Sequence, residues 1–123
     1  MTDHSDEPKF RIRVVFGPDE MIGPGKAELL EHIAETGSIA AAGRAMGMSY
    51  KRAWQLVETM NAMFREPLVT STRGGAKGGG AVVTETGKAV LDDYRGLETE
   101  ARRAGAAHIL RLQGRLRDMS DGK

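Results

Sequence analysis

The chain has 123 residues, 40% hydrophobic and 28% charged, with a formal net charge of +1. That is the size of one domain, and the composition excludes wholesale disorder. It contains no cysteine, which excludes a disulfide framework and a thiolate metal site. His4, His32 and His108 show no ligand spacing, no apolar run approaches a membrane span, and the acidic start lacks the form of a signal peptide. A cytoplasmic protein without membrane contact, metal or cofactor is expected.

Residues 1–8 are polar and aperiodic and read as a disordered tail. Lys9 to Phe16 alternates Phe10, Ile12 and Val14 with Arg11 and Arg13, the pattern of a half-buried strand. Gly17 to Glu20 is a turn, and Gly23-Pro24-Gly25 is a second break with Pro24 placed near a helix start. A first helix is predicted from Lys26 to Thr36. It should bury Leu29, Leu30, Ile33 and Ala34, carry His32 on its outer face, and end at Gly37.

Gly37 to Phe64 reads as two short helices joined by a tight turn. Ser38 caps a small-residue helix from Ile39 to Met46, and Gly47 ends it in the left-handed conformation. Met48 fills the corner and Ser49 caps the next helix. Ala42, Gly43 and Ala53 fall where two crossing helices need small side chains. Ala53, Leu56, Val57, Met60 and Phe64 form the apolar stripe of the second helix. Tyr50, Lys51, Trp54, Gln55, Glu58 and Asn61 lie largely off the stripe, with Arg52 at its edge. An exposed first turn carrying hydroxyl, amide and cationic groups suits the major groove of DNA. The structural alternative is a core helix pair with an ordinary solvated face.

Beyond Pro67, the β-prone runs Leu68–Thr72 and Ala81–Val83 flank the glycine-rich stretch Arg73–Gly80. Lys77 precedes glycine, and no Gly-Lys here is followed by Ser or Thr, so a nucleotide-binding P-loop is excluded. The remaining readings are a plain linker and a β-hairpin wing, and the wing explains the flanking strands. Its bare glycines admit phosphate to the backbone, and Arg73 and Lys77 neutralise charge. The strand at Lys9–Phe16 is a candidate third member of the wing sheet. Between Gly37 and Val83 there are six basic and two acidic residues, a net +4 against −3 for the rest of the chain.

Thr84 caps a last helix that runs toward and past Leu116. Val90, Tyr94, Leu97, Ala101 and Ala104 follow a four-three spacing. Ile109, Leu112, Leu116 and Met119 continue it one position out of phase. Gly105 lies between the sets, so a bend, a twist of the seam or a separate short helix is expected there. The seam suits dimerisation; the alternative is an amphipathic tail packed on its own domain.

The fold class is therefore mainly α with a small β-sheet: a winged helix-turn-helix with a three-helix core and a β-hairpin wing, plus a long C-terminal dimerisation helix. The divisions are residues 1–8, the DNA-binding domain 9–84, and the helix with its frayed end 85–123.

From Pro24 to Tyr94 the sequence closely resembles the N-terminal DNA-binding domain of the molybdate-responsive, ModE-type transcription regulators, which are related to the LysR-type helix-turn-helix. The resemblance rests on GSI at Gly37–Ile39, GMSYKRAW at Gly47–Trp54, Met60-Asn61, the wing from Gly74 to Thr84, and Gly87 and Tyr94. The wing departs from the usual GGKGGGG, since Ala76 displaces Lys77 by one residue. The resemblance implies a homodimeric, sequence-specific regulator of double-stranded DNA, linked to molybdate transport or molybdoenzyme genes. The candidate DNA-binding residues are Ser38, Ser49, Tyr50, Lys51, Arg52, Trp54, Gln55, Arg73 and Lys77. The candidate dimerisation residues are Val90, Tyr94, Leu97, Ala101, Ile109, Leu112 and Leu116.

Family members that sense molybdate carry C-terminal oxyanion-binding modules, and Gly114–Lys123 is too short and too charged to form one. No molybdate site is expected within these residues, so a metal response would need a separate molybdate-binding protein. A second functional class is a winged-helix adaptor that binds protein instead of DNA. Enzymatic activity is not expected. The histidines have no partner spacing, and Asp92 and Asp93 are adjacent on a helix and so point to different faces.

Overall fold

A computed structural model describes residues 8–72 and 80–117. The order is β1 (Val14–Gly17), β2 (Glu20–Ile22), α1 (Pro24–Thr36), α2 (Ile39–Ala45), α3 (Tyr50–Met63), β3 (Val69–Thr72), β4 (Gly80–Val83) and α4 (Glu85–Gly114). The expected tail (residues 1–7), the wing tip from Arg73 to Gly79 and the expected frayed end (118–123) lie outside the described residues.

Local chemistry sets the helix boundaries. Pro24 opens α1, where its fixed φ suits the first turn and its missing N–H costs nothing. Gly37 closes α1 at φ 69°, and its N–H bonds to the Ile33 carbonyl at 2.8 Å. The Ser38 hydroxyl accepts from the Ala41 amide and caps α2. The Ser49 hydroxyl accepts from the Arg52 amide and caps α3. Between them Gly47 sits at φ 71°, and the Met48 amide bonds to the Gly43 carbonyl at 2.9 Å, closing the turn. A Cβ on Gly43 would lie 3.0 Å from that of Ala53, so the crossing of α2 and α3 depends on small side chains, as expected.

Leu29, Leu30, Ile33, Ala42, Ala53, Val57, Met60 and Leu68 are fully buried and form the core with Val69, Ala81 and Val83 of the wing. Leu56 and Phe64 pack against it half-buried. Ala34, expected in the core, is exposed. Trp54, expected off the apolar stripe, leans on the core half-buried.

The N-terminal strand differs from expectation. Lys9–Arg13 is not in a strand, and β1 pairs antiparallel with β2 as a separate hairpin, in register Val14 with Ile22 and with a bulge before Gly17. It is not a third strand of the wing sheet. Glu20–Ile22 is the partner that lies nearest along the chain, and a short loop is entropically the cheapest to close. The alternation still governs burial: Phe10, Ile12 and Val14 are half-buried while Arg11 and Arg13 are exposed.

The wing base is tied to the helices at three points. The Ala81 amide bonds to the Gly37 carbonyl at 2.9 Å, and the Thr84 amide to the Leu68 carbonyl at 2.9 Å. Asn61 on α3 grips the start of β3, its Oδ1 accepting from the Leu68 and Val69 amides while Nδ2 donates to the Val69 carbonyl. A Cβ on Gly87 would lie 2.3 Å from the Leu68 carbonyl oxygen, so α4 starts flush against the wing.

Helix α4 runs unbroken through Gly105, so no separate short helix forms there. Glycine costs only about 1 kcal/mol in a helix interior, too little to end a helix of 30 residues. Its first half packs on the domain. The Tyr94 hydroxyl donates to the Ile12 carbonyl at 2.6 Å, and Arg95 makes a two-pronged bond to Glu31 of α1 while also donating to Glu98 at 2.6 Å.

Candidate nucleic-acid interface

The N-terminal turn of α3 projects beside the base of the wing. Ser49, Tyr50, Lys51 and Gln55 are exposed, and Tyr50 retains 58% of its accessible surface. Ser38, Tyr50 and Trp54 line one recess of about 480 Å³ together with Ser71, Gly80 and Ala81. Its walls are therefore the start of α2, the start of α3 and both wing strands. The hydroxyls of Ser38 and Ser49 accept from their capping amides, which leaves each hydroxyl proton free to donate outward. Trp54 is half-buried against the core and also lines the recess. Arg73 and Lys77 lie outside the described residues.

Arg52 stands apart from this group. It lines a different cleft of about 390 Å³ with Arg11, Arg13 and Lys26, beneath the start of α1. Lys26 is buried, and its ammonium donates to the Met21 carbonyl at 2.7 Å. Burial, and secondarily the nearby Arg52 charge, hold the Lys26 pKa below the usual lysine value. Arg11, Arg13 and Lys26 were missed in the sequence as partners of Arg52, because 26 to 41 positions separate them along the chain.

The candidate dimer residues divide in two. Tyr94 is buried within its own domain, which corrects its assignment to an intermolecular seam, and Val90 is half-buried against the core. Ala101 and Ile109 are half-buried. Leu97, Leu112 and Leu116 are exposed at 40%, 66% and 54%. Leu110, overlooked in the periodicity, is also exposed, as are Val15 and Phe16 on the first hairpin. Asn61, read as lying largely off the apolar stripe, is a clamp on the wing; its only sequence signal was its place in the Met60-Asn61 motif. Glu98, also unremarked, is buried against Arg95.

Among the described residues, no group of three His, Asp or Glu side chains is placed to hold a metal ion, and no helix is long and apolar enough to cross a membrane.

Comparison with known proteins agrees with this geometry. The chain is 47% identical over 77 residues to the molybdenum-pterin-binding protein MopA of Rhodobacter capsulatus, covering 63% of this chain and 29% of that protein. It is 39% identical over 97 residues to the molybdenum transport protein ModE of Azotobacter vinelandii, covering 79% and 34%. It is 41% identical over 71 residues to the DNA-binding transcriptional dual regulator ModE of Escherichia coli K12, covering 58% and 27%. The chain thus matches about a third of the length of these relatives, and the resemblance to the N-terminal domain of ModE-type regulators is borne out. The structure of VV2_1132, a LysR family transcriptional regulator, superposes with a TM-score of 0.51 at 16% identity, over 68% of this chain and 27% of that one. That likeness bears on the fold, a winged helix-turn-helix. With residues 25–88 matching the family's own pattern, the chain belongs to the bacterial regulatory helix-turn-helix proteins of the lysR family.

Proposed function

We propose that the chain is a sequence-specific DNA-binding transcription regulator that acts as a homodimer on a pseudo-palindromic operator. The observation that carries this reading is the exposed first turn of α3 standing beside a wing whose base is fastened to α1 and α3. A duplex whose major groove received Tyr50, Lys51 and Gln55 would meet the wing on its flank. There Arg73 and Lys77 would supply phosphate contacts. The exposed leucines Leu97 and Leu112 of α4, with Leu116 just beyond its end, support a helix-to-helix dimer contact. Two copies related by a two-fold axis would read half-sites one or two helical turns apart, ~34 Å per turn.

The name of the Azotobacter vinelandii relative, a molybdenum transport protein, supports a link to molybdate transport genes. The deciding experiment is selection of duplexes bound from fragmented genomic DNA, followed by mobility shift over a salt series. A recovered inverted repeat bound in preference to competitor DNA supports the regulator. Weak, salt-labile binding without a recovered motif favours the protein-binding adaptor instead.

A further inference from the structure

We propose that the cleft formed by Arg11, Arg13, Lys26 and Arg52 is a second seat for the DNA backbone, so that Arg52 anchors phosphate instead of reading a base. This rests on the DNA-binding reading and extends its surface to the N-terminal segment.

The four cations come from three parts of the chain, and among the described residues no Asp or Glu lines the cleft. Among the described residues, the arginine that ties α4 to α1 is paired with carboxylates. Arg95 is held by Glu31 and Glu98, and Lys88 lies near Glu85. Among the described residues, no carboxylate pairs with Arg11, Arg13 or Arg52. Both N-terminal arginines occupy the outward positions of the alternating segment, so the core does not require them.

Concentrated like charge opposes folding; the Lys26 pKa is held down chiefly by burial and secondarily by the Arg52 charge beside it. A phosphate seated among these groups would turn repulsion into attraction. The first turn of α1 borders the same cleft. Its N-cap, Gly23, offers no side-chain acceptor, and the turn carries no acidic residue, so the helix end adds partial positive charge without quenching it.

Continuity favours a duplex over a free anion. Arg52 follows Lys51 directly on the exposed turn of α3, and the cleft is open with exposed arginines on its rim. A polymer that lays its groove on Tyr50, Lys51 and Gln55 carries further phosphates past Arg52 toward Arg13 and Arg11. Arginine suits that task because its planar fork matches phosphate oxygens.

The test compares the full chain with R11Q/R13Q, R11K/R13K and R52Q, on a selected operator and on an unrelated duplex, across a potassium chloride series. R11Q/R13Q should lose affinity by the same factor on both duplexes, and its log–log salt slope should flatten by roughly 0.9 per phosphate contact released. R11K/R13K should keep the slope. R52Q should weaken both duplexes without changing base preference when the site is reselected, and phosphate-ethylation interference at the flank should disappear. Thermal unfolding of each variant checks that the fold is intact. An unchanged slope in R11Q/R13Q, or a base preference altered by R52Q, overturns the proposal while leaving the regulator standing. An unmodified chain that binds no duplex overturns both. Protection of the cleft by inorganic phosphate, with no effect of R11Q/R13Q on duplex binding, assigns it to a free anion and also overturns the proposal.

Discussion

The Asn61 carboxamide bonds to both backbone groups of Val69, accepting from its amide at 3.1 Å and donating to its carbonyl at 3.0 Å. A third bond, from the Leu68 amide, completes the clamp at 2.8 Å. One polar side chain on α3 therefore fixes where the wing starts. Replacing Asn61 with Ala leaves buried backbone groups unpaired and should destabilise the fold by about 1–3 kcal/mol. Urea unfolding measures it; a midpoint unchanged from the parent would show that water replaces the clamp at no cost.

Two glycines of α4 should respond in opposite directions. Gly87 has the Leu68 carbonyl 2.3 Å from its would-be Cβ, and backbone cannot swing aside. Gly87→Ala should cost toward the upper end of ~1–3 kcal/mol. Gly105 has open space at that point, so Gly105→Ala should stabilise the helix by up to about 1 kcal/mol. Calorimetric melting of the two variants side by side checks both signs.

Base reading falls to Gln55 if the duplex lies on the exposed face of α3. Gln55→Ala should relax preference at one position of each half-site and cost on the order of 1–3 kcal/mol on the operator. Binding to unrelated DNA should hardly change. Equal losses on both duplexes would move Gln55 off the bases.

Acid should loosen the junction of α1 with α4. The bonds donated by Arg95 hold the Glu31 carboxyl below its ordinary pKa of 4.5, against a smaller opposing effect of burial. Between the folded and unfolded values the unfolded chain binds more protons, so stability rises with pH in that window. The contribution is complete above the ordinary carboxylate range and is lost as pH falls through the folded value. Both side chains are more than a third open to water, so the pair is worth at most about 1 kcal/mol. Melting temperatures of Glu31→Gln should decline less than those of the parent between about pH 6 and 3. Parallel curves would remove this pair from the acid response.

Leu112 is 66% exposed and touches little of its own domain, so Leu112→Glu should leave monomer unfolding near its parent value. If distal α4 forms the dimer contact, sedimentation should show the variant shifting to monomer at concentrations where the parent is dimeric.

The elements set by neighbours in the chain were legible from sequence. Ser38, Ser49 and Thr84 cap the helices they were expected to cap, Gly37 and Gly47 take the left-handed turns, and the small residues at the α2–α3 crossing meet as predicted. These features depend on a few adjacent dihedrals and hydrogen bonds, which residue type and spacing specify directly. What tertiary structure decided were the choices among competing partners. Strand β1 paired with β2 and not with the wing, because hydrogen-bonding edges are alike and closure length selects between them. Tyr94 turned inward to the Ile12 carbonyl, which no helical periodicity could distinguish from an outward seam. The same holds for Arg52, since a helix position states a face but not what the rest of the fold lays against it. Here the fold set Arg11, Arg13 and Lys26 there, gathering charge that linear counting had assigned to separate segments.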